Sequence, residues 1–283
     1  MSASPSPLAR SVSPSSVDRA VIVTTLRSAG CVFAEDEAEL LISTARTSAD
    51  LAAMVERRVA GLPLEHLLGW AEFRGLRIAV EPGVFVPRRR TEFLIDQAVA
   101  LIRPRSVVVD LCCGSGALGA ALAAAQAQAQ ARIELHAADV DPAAVDCARR
   151  NVVAVGGRVY EGDLYHPLPA TLRGRVDVLL ANVPYVPTEE IGLLPPEARL
   201  YEARVALDGG ADGLDVLRRV SVAAPLWLAP GGHLLFETSE RQVSRAVEIV
   251  ARDGLIPRVA TCDELNATVV IATRPGLRGG PDS

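Results

Sequence analysis

Val107-Val108-Val109-Asp110-Leu111-Cys112-Cys113-Gly114-Ser115-Gly116-Ala117-Leu118-Gly119 is the stretch on which the fold turns. A β-branched run enters a glycine-rich turn and leaves it into an alanine-rich segment. This order predicts a buried strand, a tight loop and a helix, the first βα unit of a Rossmann-like sheet. Gly114 and Gly116 let the backbone approach a ligand that a Cβ would block. The spacing Gly114-x-Gly116-x-x-Gly119 also fits a nicotinamide or flavin dinucleotide, so the loop alone leaves the cofactor open.

Downstream, Ile133 to Asp141 predicts a second strand. It ends on Asp139, an acid placed to accept hydrogen bonds from both hydroxyls of a ribose. Pro142 starts a helix, and a third strand near Arg158 to Tyr160 leads to Gly162-Asp163-Leu164. The fourth strand, Val176 to Ala181, delivers Asn182-Val183-Pro184-Tyr185 at its C-terminal end, where open α/β sheets bind ligands. A helix over 214–228, a strand over 231–237, a helix over 244–253 and strands over 257–260 and 267–273 complete a doubly wound, mostly parallel sheet whose last two strands form an antiparallel pair.

Upstream, apolar residues recur at helical spacing from Val17 to about Gly61 and predict three short helices, with Glu35-Asp36-Glu37 at the start of the second and Ser48 capping the third. Phe73, Leu76, Ile78, Val80, Val84 and Val86 alternate as short strands around Gly75 and Pro82-Gly83, a hairpin. Thr91 is placed to cap the next helix, whose buried side carries Phe93, Leu94, Ile95 and Val99. The expected organisation is a disordered tail over 1–16, a helical domain over 17–69, a hairpin linker over 70–90, an α/β domain over 91–274 and a tail over 275–283.

The 283 residues are 49% hydrophobic, with a mean hydropathy of +0.25, enough for a sizeable core. A net charge of −5 and a pI near 5.5 count against tight non-specific nucleic-acid binding. Five cysteines, two of them adjacent, suggest reduced thiols in a cytoplasm, and no Cys/His spacing suggests a metal. No apolar run reaches the length of a membrane helix. A monomer is the default.

The motifs together resemble the protein-(glutamine-N5) methyltransferases that modify the Gly-Gly-Gln motif of peptide chain release factors, from about Val59 to Thr273. They are Gly61-x-Pro63-Leu64, Leu68-Gly69, Glu72-Phe73-x-Gly75, Val86-Pro87-Arg88, Thr91-Glu92, Asp110-Leu111, Gly114-Ser115-Gly116-Ala117, Gly162-Asp163, Asn182-x-Pro184-Tyr185, and Tyr201-Glu202 with Ala206-Leu207-Asp208-Gly209-Gly210-x-Asp212-Gly213-Leu214. The resemblance implies a class I methyltransferase fold, S-adenosyl-L-methionine as cofactor and an N-terminal helical domain that recognises a protein substrate; helical periodicity alone fits a structural cap equally well. It places Asp110 and the run Cys112, Cys113, Gly114, Ser115 and Gly116 at the cofactor, Asp139 on the ribose, Asp163 and Leu164 beside the adenine, and Asn182 against both cofactor and substrate. Three departures mark a divergent branch: Val183 replaces a proline, Cys112 replaces the first glycine of the loop, and Arg89-Arg90 replace Pro-Glu/Asp.

By the same resemblance, the Asn182 side-chain oxygen and the Val183 carbonyl accept hydrogen bonds from a glutamine NH₂, and Tyr185 packs its face on the amide. Such bonds strengthen as the nitrogen becomes positive, which favours the transition state. Val183 is chemically tolerable because only its main-chain carbonyl is used. The catalytic set is therefore Asn182, Val183, Pro184 and Tyr185, with no metal. Arg88-Arg89-Arg90 is expected as a solvated turn, with Arg88 placed to pair with Glu92. Two other acceptors compete: an adenine N6 amine of nucleic acid, which the acidic balance opposes, and a small-molecule amine. A cofactor-binding regulator without catalysis is disfavoured by Asn182 and Tyr185 together.

Overall fold

The computed structural model describes residues 19–276 and divides between Gly69 and Trp70 into two compact units. The expected tail over 1–16, the helix start at Val17 and most of the tail over 275–283 lie outside the described residues.

The first unit holds α1 (Arg19–Ser28), α2 (Ala34–Thr44), α3 (Ser48–Val59) and the short α4 (Leu64–Leu68). Leu26, Leu41 and Leu51 meet in its core with Ala34 and Ala38. The acids Glu35, Asp36 and Glu37 fill the first turn of α2, as expected. The cap of α3 is Thr47, not Ser48: its side chain accepts from the Asp50 N–H at 3.1 Å. Glu37 also takes both Nε (2.6 Å) and Nη2 (3.1 Å) of buried Arg58, a fork that ties α2 to α3.

The second unit opens with an antiparallel hairpin, β1 (Trp70–Phe73) and β2 (Leu76–Ala79). Val80, Val84 and Val86 stay buried but leave strand geometry after Ala79. Then come α5 (Glu92–Val99), β3 (Val107–Leu111), α6 (Ala117–Gln128), β4 (Glu134–Asp139), α7 (Pro142–Val153), β5 (Arg158–Glu161), β6 (Val176–Ala181), α8 (Pro196–Tyr201), α9 (Asp215–Trp227), β7 (Leu228–Glu237), α10 (Val243–Arg252), β8 (Ile256–Cys262) and β9 (Ala267–Thr273). The seven-stranded sheet runs β5-β4-β3-β6-β7-β9-β8. All strands point one way except β9, which is antiparallel to both β7 and β8. This is the class I methyltransferase architecture, a Rossmann-like sheet with its one reversed strand next to the edge. The chain builds outward from β3 to β5 and then returns to lay β6 on the other side of β3. That reversal of order opens a crevice at the C-terminal ends of β3 and β6.

Two apolar layers cover the sheet. Phe73, Ile78, Leu94, Leu122 and Val152 pack one face, so the hairpin belongs to this core; Leu172, Leu217, Trp227, Phe236 and Ile249 pack the other.

Candidate active site

A cleft of about 400 Å³ lies at the C-terminal ends of β3, β4 and β6 and contains Cys112, Gly114, Asp139, Asp163, Leu164 and the tetrapeptide Asn182-Val183-Pro184-Tyr185 in its wall. The loop after β3 is pinned from beneath: the Cys113 N–H donates to the Ala138 carbonyl at 3.1 Å and the Gly114 N–H to the Asp139 carboxylate at 2.8 Å. Asp139 also accepts from the Asp141 N–H at 3.0 Å, and burial raises its pKa. Each carboxylate oxygen keeps a lone pair for a further donor.

Not every loop residue faces the cleft. Asp110 and Gly116 stand outside its lining. Gly116 has φ of +78°, and a Cβ there would come within 2.6 Å of Val152 and 3.3 Å of Ala148, so its bareness serves the packing of the loop on α7. Gly114 has open space before it and fits a close-approach role. Cys112 holds φ of +53° with a side chain where glycine would be unstrained, a conformation that costs on the order of 1–2 kcal/mol.

Asp110 is fully buried beneath the loop, with one oxygen accepting from the Gly119 N–H at 3.0 Å and the other unpartnered. Burial first, then the nearby Asp139 charge, raises its pKa from 3.8 to about 7 against that hydrogen bond. The folded pKa exceeds the unfolded one, so its stabilising contribution is complete below about 4 and is lost as pH rises through about 7. The melting temperature is expected to fall between pH 5 and pH 8, and Asp110→Asn is expected to flatten that fall. Parallel melting curves for the two proteins would count against it.

In the tetrapeptide, the Asn182 Oδ1 is buried and has no hydrogen-bond partner. The Val183 carbonyl accepts none among the described residues, although Val183 as a whole is only 2% exposed. The Tyr185 carbonyl is occupied, accepting from the Gln242 amide at 2.9 Å. Gln242 also donates to the Asp212 carbonyl at 3.0 Å, which clamps the Asp208–Gly213 turn onto the tetrapeptide. Gly209 approaches so closely that a Cβ would stand 2.7 Å from the Pro184 carbonyl, and one on Gly213 would strike the Tyr185 carbonyl and the Gln242 amide. Gly213→Ala is therefore expected to push Tyr185 out of place and to lower transfer by roughly 100-fold, since misplacement by an ångström costs that much. A methylation assay beside a thermal melt separates lost geometry from lost folding.

Tyr185 is anchored by residues that sequence reading missed. Its hydroxyl donates to the Glu237 carboxylate at 2.8 Å and accepts from Arg90 Nη2 at 2.5 Å. Arg90 Nε donates to the same Glu237 oxygen at 2.8 Å, and Thr91 Oγ1 donates to the other at 2.7 Å. Burial, then the Glu237 charge, pushes the phenol above its ordinary pKa, so it stays protonated as a donor. Thr91 thus gives its hydroxyl to Glu237 and does not cap α5. Arg88 donates to both Glu202 oxygens at 2.7 Å, not to Glu92, whose carboxylate instead accepts from the Arg74 N–H at 3.1 Å. The arginine triplet is an anchoring segment: Arg89 and Arg90 are both exposed, yet Arg90 reaches Glu237 and Tyr185 while half-buried Arg88 holds Glu202. Asp163 ion-pairs with Arg219 of α9, and both stand in the cleft wall.

The pieces suit a nucleoside bearing a charged chain: an acid at a strand tip, a bare glycine, apolar Leu118, Val140 and Leu164, and a residue, Asn182, with an unpartnered acceptor, all in one cleft wall. Among the described residues no group of three or more His, Cys, Asp and Glu is arranged to hold a metal, and no helix is long and apolar enough to cross a membrane.

The chain is similar to known proteins. The family described as "Methyltransferase small domain" matches residues 75–216. A release factor glutamine methyltransferase of Geobacter sulfurreducens is 36% identical over 225 residues, covering 79% of this chain and 77% of its own length. One from Mycolicibacterium smegmatis is 40% identical over 225 residues, with 78% of each chain covered. Among solved structures, a methyltransferase from Pyrococcus furiosus superposes with a TM-score of 0.52 at 16% identity, covering 81% of this chain and all of its own, a likeness of fold alone. A switch-point cleft walled by a glycine loop, strand-end acids and Asn182-x-Pro184-Tyr185, on a chain this similar to those relatives over most of its length, places the protein in the release factor glutamine methyltransferase family.

Proposed function

We propose that the protein methylates the side-chain amide nitrogen of a glutamine in a protein acceptor, with S-adenosyl-L-methionine as methyl donor and a peptide chain release factor as the first candidate acceptor. One observation carries this reading: the Asn182 Oδ1 is buried and unpartnered, and the next residue, Val183, has a free carbonyl, on a segment that lines the cleft. Two unoccupied acceptors on consecutive residues match the two N–H groups of a primary amide. A buried acceptor left without a donor costs about 1–3 kcal/mol, a cost that an arriving NH₂ removes.

The bound cofactor supplies an electrophilic methyl group on a sulfonium. Asp139 would hold the ribose, the Cys112–Ser115 loop the methionine chain, and Asp163 with Leu164 the adenine edge. Asn182 and Val183 hold the amide so that its nitrogen lone pair, otherwise delocalised into the carbonyl, points along the line of transfer. Their two hydrogen bonds strengthen as the nitrogen becomes positive, and one amide proton leaves to water after transfer. Tyr185 bounds the amide, its ring orientation set by the hydroxyl bonds to Glu237 and Arg90. No carboxylate base is needed.

Val183, Cys112 and the Arg89-Arg90 pair support placing this chain on a divergent branch, in which residues flanking the target glutamine meet a guanidinium where relatives present an acid. The N-terminal helical unit is the candidate for recognising the acceptor's fold. Incubation with labelled cofactor and a lysate, followed by mass spectrometry, tests the reading: methyl-glutamine on a release factor supports it in full, on another protein supports the chemistry with a moved target, and label on nucleic acid or a small molecule alone overturns it.

A further inference from the structure

The sheet has two ends, and the cleft uses only the one at which the parallel strands finish. At the other end, from four residues before to two residues after the starts of the parallel strands and next to the finish of β9, nine arginines stand against three carboxylates, Glu134, Asp177 and Asp253. The whole chain is acidic and contains no lysine, so this end reverses the charge of the molecule. Five helices, α5, α6, α7, α9 and α10, also end there, each contributing about half a negative charge. Carboxylates and helix ends together leave about three positive charges unbalanced.

Arg103, Arg105, Arg132 and Arg258 are exposed, and their side chains make no hydrogen bond or ion pair among the described residues. Arg158 and Arg175 share a single acid, Glu134, at 3.9 and 3.5 Å. The cations act on common ground: His233 is held below its ordinary pKa first by burial and then by Arg103 and Arg258 together. With strands about 4.8 Å apart, the seven-stranded array spans roughly 29 Å, the length of several successive phosphates. Protein-binding surfaces are built around apolar or aromatic anchors and are depleted of charge at their centres. Here Trp227, the large aromatic at this end, is buried, with the Arg173 guanidinium 5.4 Å above its ring. Guanidinium forks match phosphate oxygens in pairs.

We propose that the strand-start end of the sheet is a docking surface for the phosphodiester backbone of nucleic acid. It is separate from methyl transfer, because the cleft lies at the opposite ends of the same strands. A duplex held there leaves the cleft open to a protein acceptor.

The test is fluorescence anisotropy of the full chain with a labelled RNA duplex, a DNA duplex of the same sequence and polyglutamate over a salt series. Both duplexes, or RNA alone, are expected to bind, with log K falling against log salt at a slope of about −3 to −4. Replacing Arg103, Arg132 and Arg258 together by Ala is expected to weaken binding at least about tenfold and to flatten the slope by about 2–3, each lost phosphate contact being worth about one. Replacing Arg149, Arg241 and Arg245 elsewhere on the surface by Ala is expected to change neither. Should the first triple variant melt early, Arg258→Ala alone is expected to flatten the slope by about one. RNA favoured over DNA names the source, and equal binding assigns recognition to the backbone shared by both. The proposal is overturned if neither duplex binds, if the two triple variants lose binding equally, or if polyglutamate binds as tightly as RNA.

Discussion

Asn182→Ala is expected to lower methyl transfer about 100- to 1,000-fold while changing cofactor affinity far less. The reasoning rests on which state the side chain serves. Its Oδ1 is buried without a partner, so the protein gives up a hydrogen bond in the free state. That oxygen gains most when the acceptor nitrogen carries positive charge, and groups aimed at developing charge in a water-poor site are worth roughly 3–4 kcal/mol each. The alanine variant removes a cost in the free enzyme and a benefit in the transition state. It is therefore expected to melt no earlier than the parent while turning over far more slowly. Single-turnover transfer beside calorimetric titration of cofactor reads both quantities. Turnover within tenfold of the parent would end the assignment.

Glu237→Ala is expected to fail differently, losing stability and acceptor affinity together. Three donors converge on this carboxylate: Tyr185 OH, Thr91 Oγ1 and Arg90 Nε. Glu237 is 4% exposed against 45% for Arg90, so the ion pair itself is discounted and the two stranded hydroxyls dominate the cost. Roughly 2–4 kcal/mol of stability is expected to go. With its hydroxyl released, Tyr185 no longer has a fixed ring plane, and the acceptor KM is expected to rise about tenfold or more. Glu237→Gln keeps one oxygen to accept from the Tyr185 hydroxyl and turns an NH₂ to the Thr91 hydroxyl, which can rotate to accept from it, so it is expected to recover most of the stability, and melting temperature against KM separates anchoring from folding. An alanine variant that melts and binds like the parent would show that Tyr185 is held some other way.

Strands β3, β6, β7 and β9 were legible because each is an apolar, largely β-branched or leucine run, and the order of motifs along the chain indicated the family. What escaped has identifiable causes. The helix at Leu64–Leu68 is five residues long between Pro63 and Gly69, too short for a periodic signal. Glu237 closes an apolar strand as a lone acid, and nothing in its spacing points to Arg90 or Tyr185, 147 and 52 residues away. The arginine triplet looked solvated because its partners are supplied by tertiary contacts. Thr91 sits where a cap belongs, yet a buried carboxylate offered its hydroxyl a better acceptor than the helix offered a donor. Gly116 looked like a ligand-facing glycine, although the constraint on it comes from Val152 and Ala148 behind it.

The reversed β9 bears on how the protein is made. Until β9 is synthesised, β7 is an open edge that exposes the backbone of a Leu-Leu-Phe-Glu run, and such edges invite pairing with other chains. Glu237 pairs with Val269 in that last-made ladder. The anchor of Tyr185 thus waits on β9, the last strand of the sheet along the chain, and a chain truncated before β9 would carry the motif of the enzyme with an aggregating edge in place of its sheet.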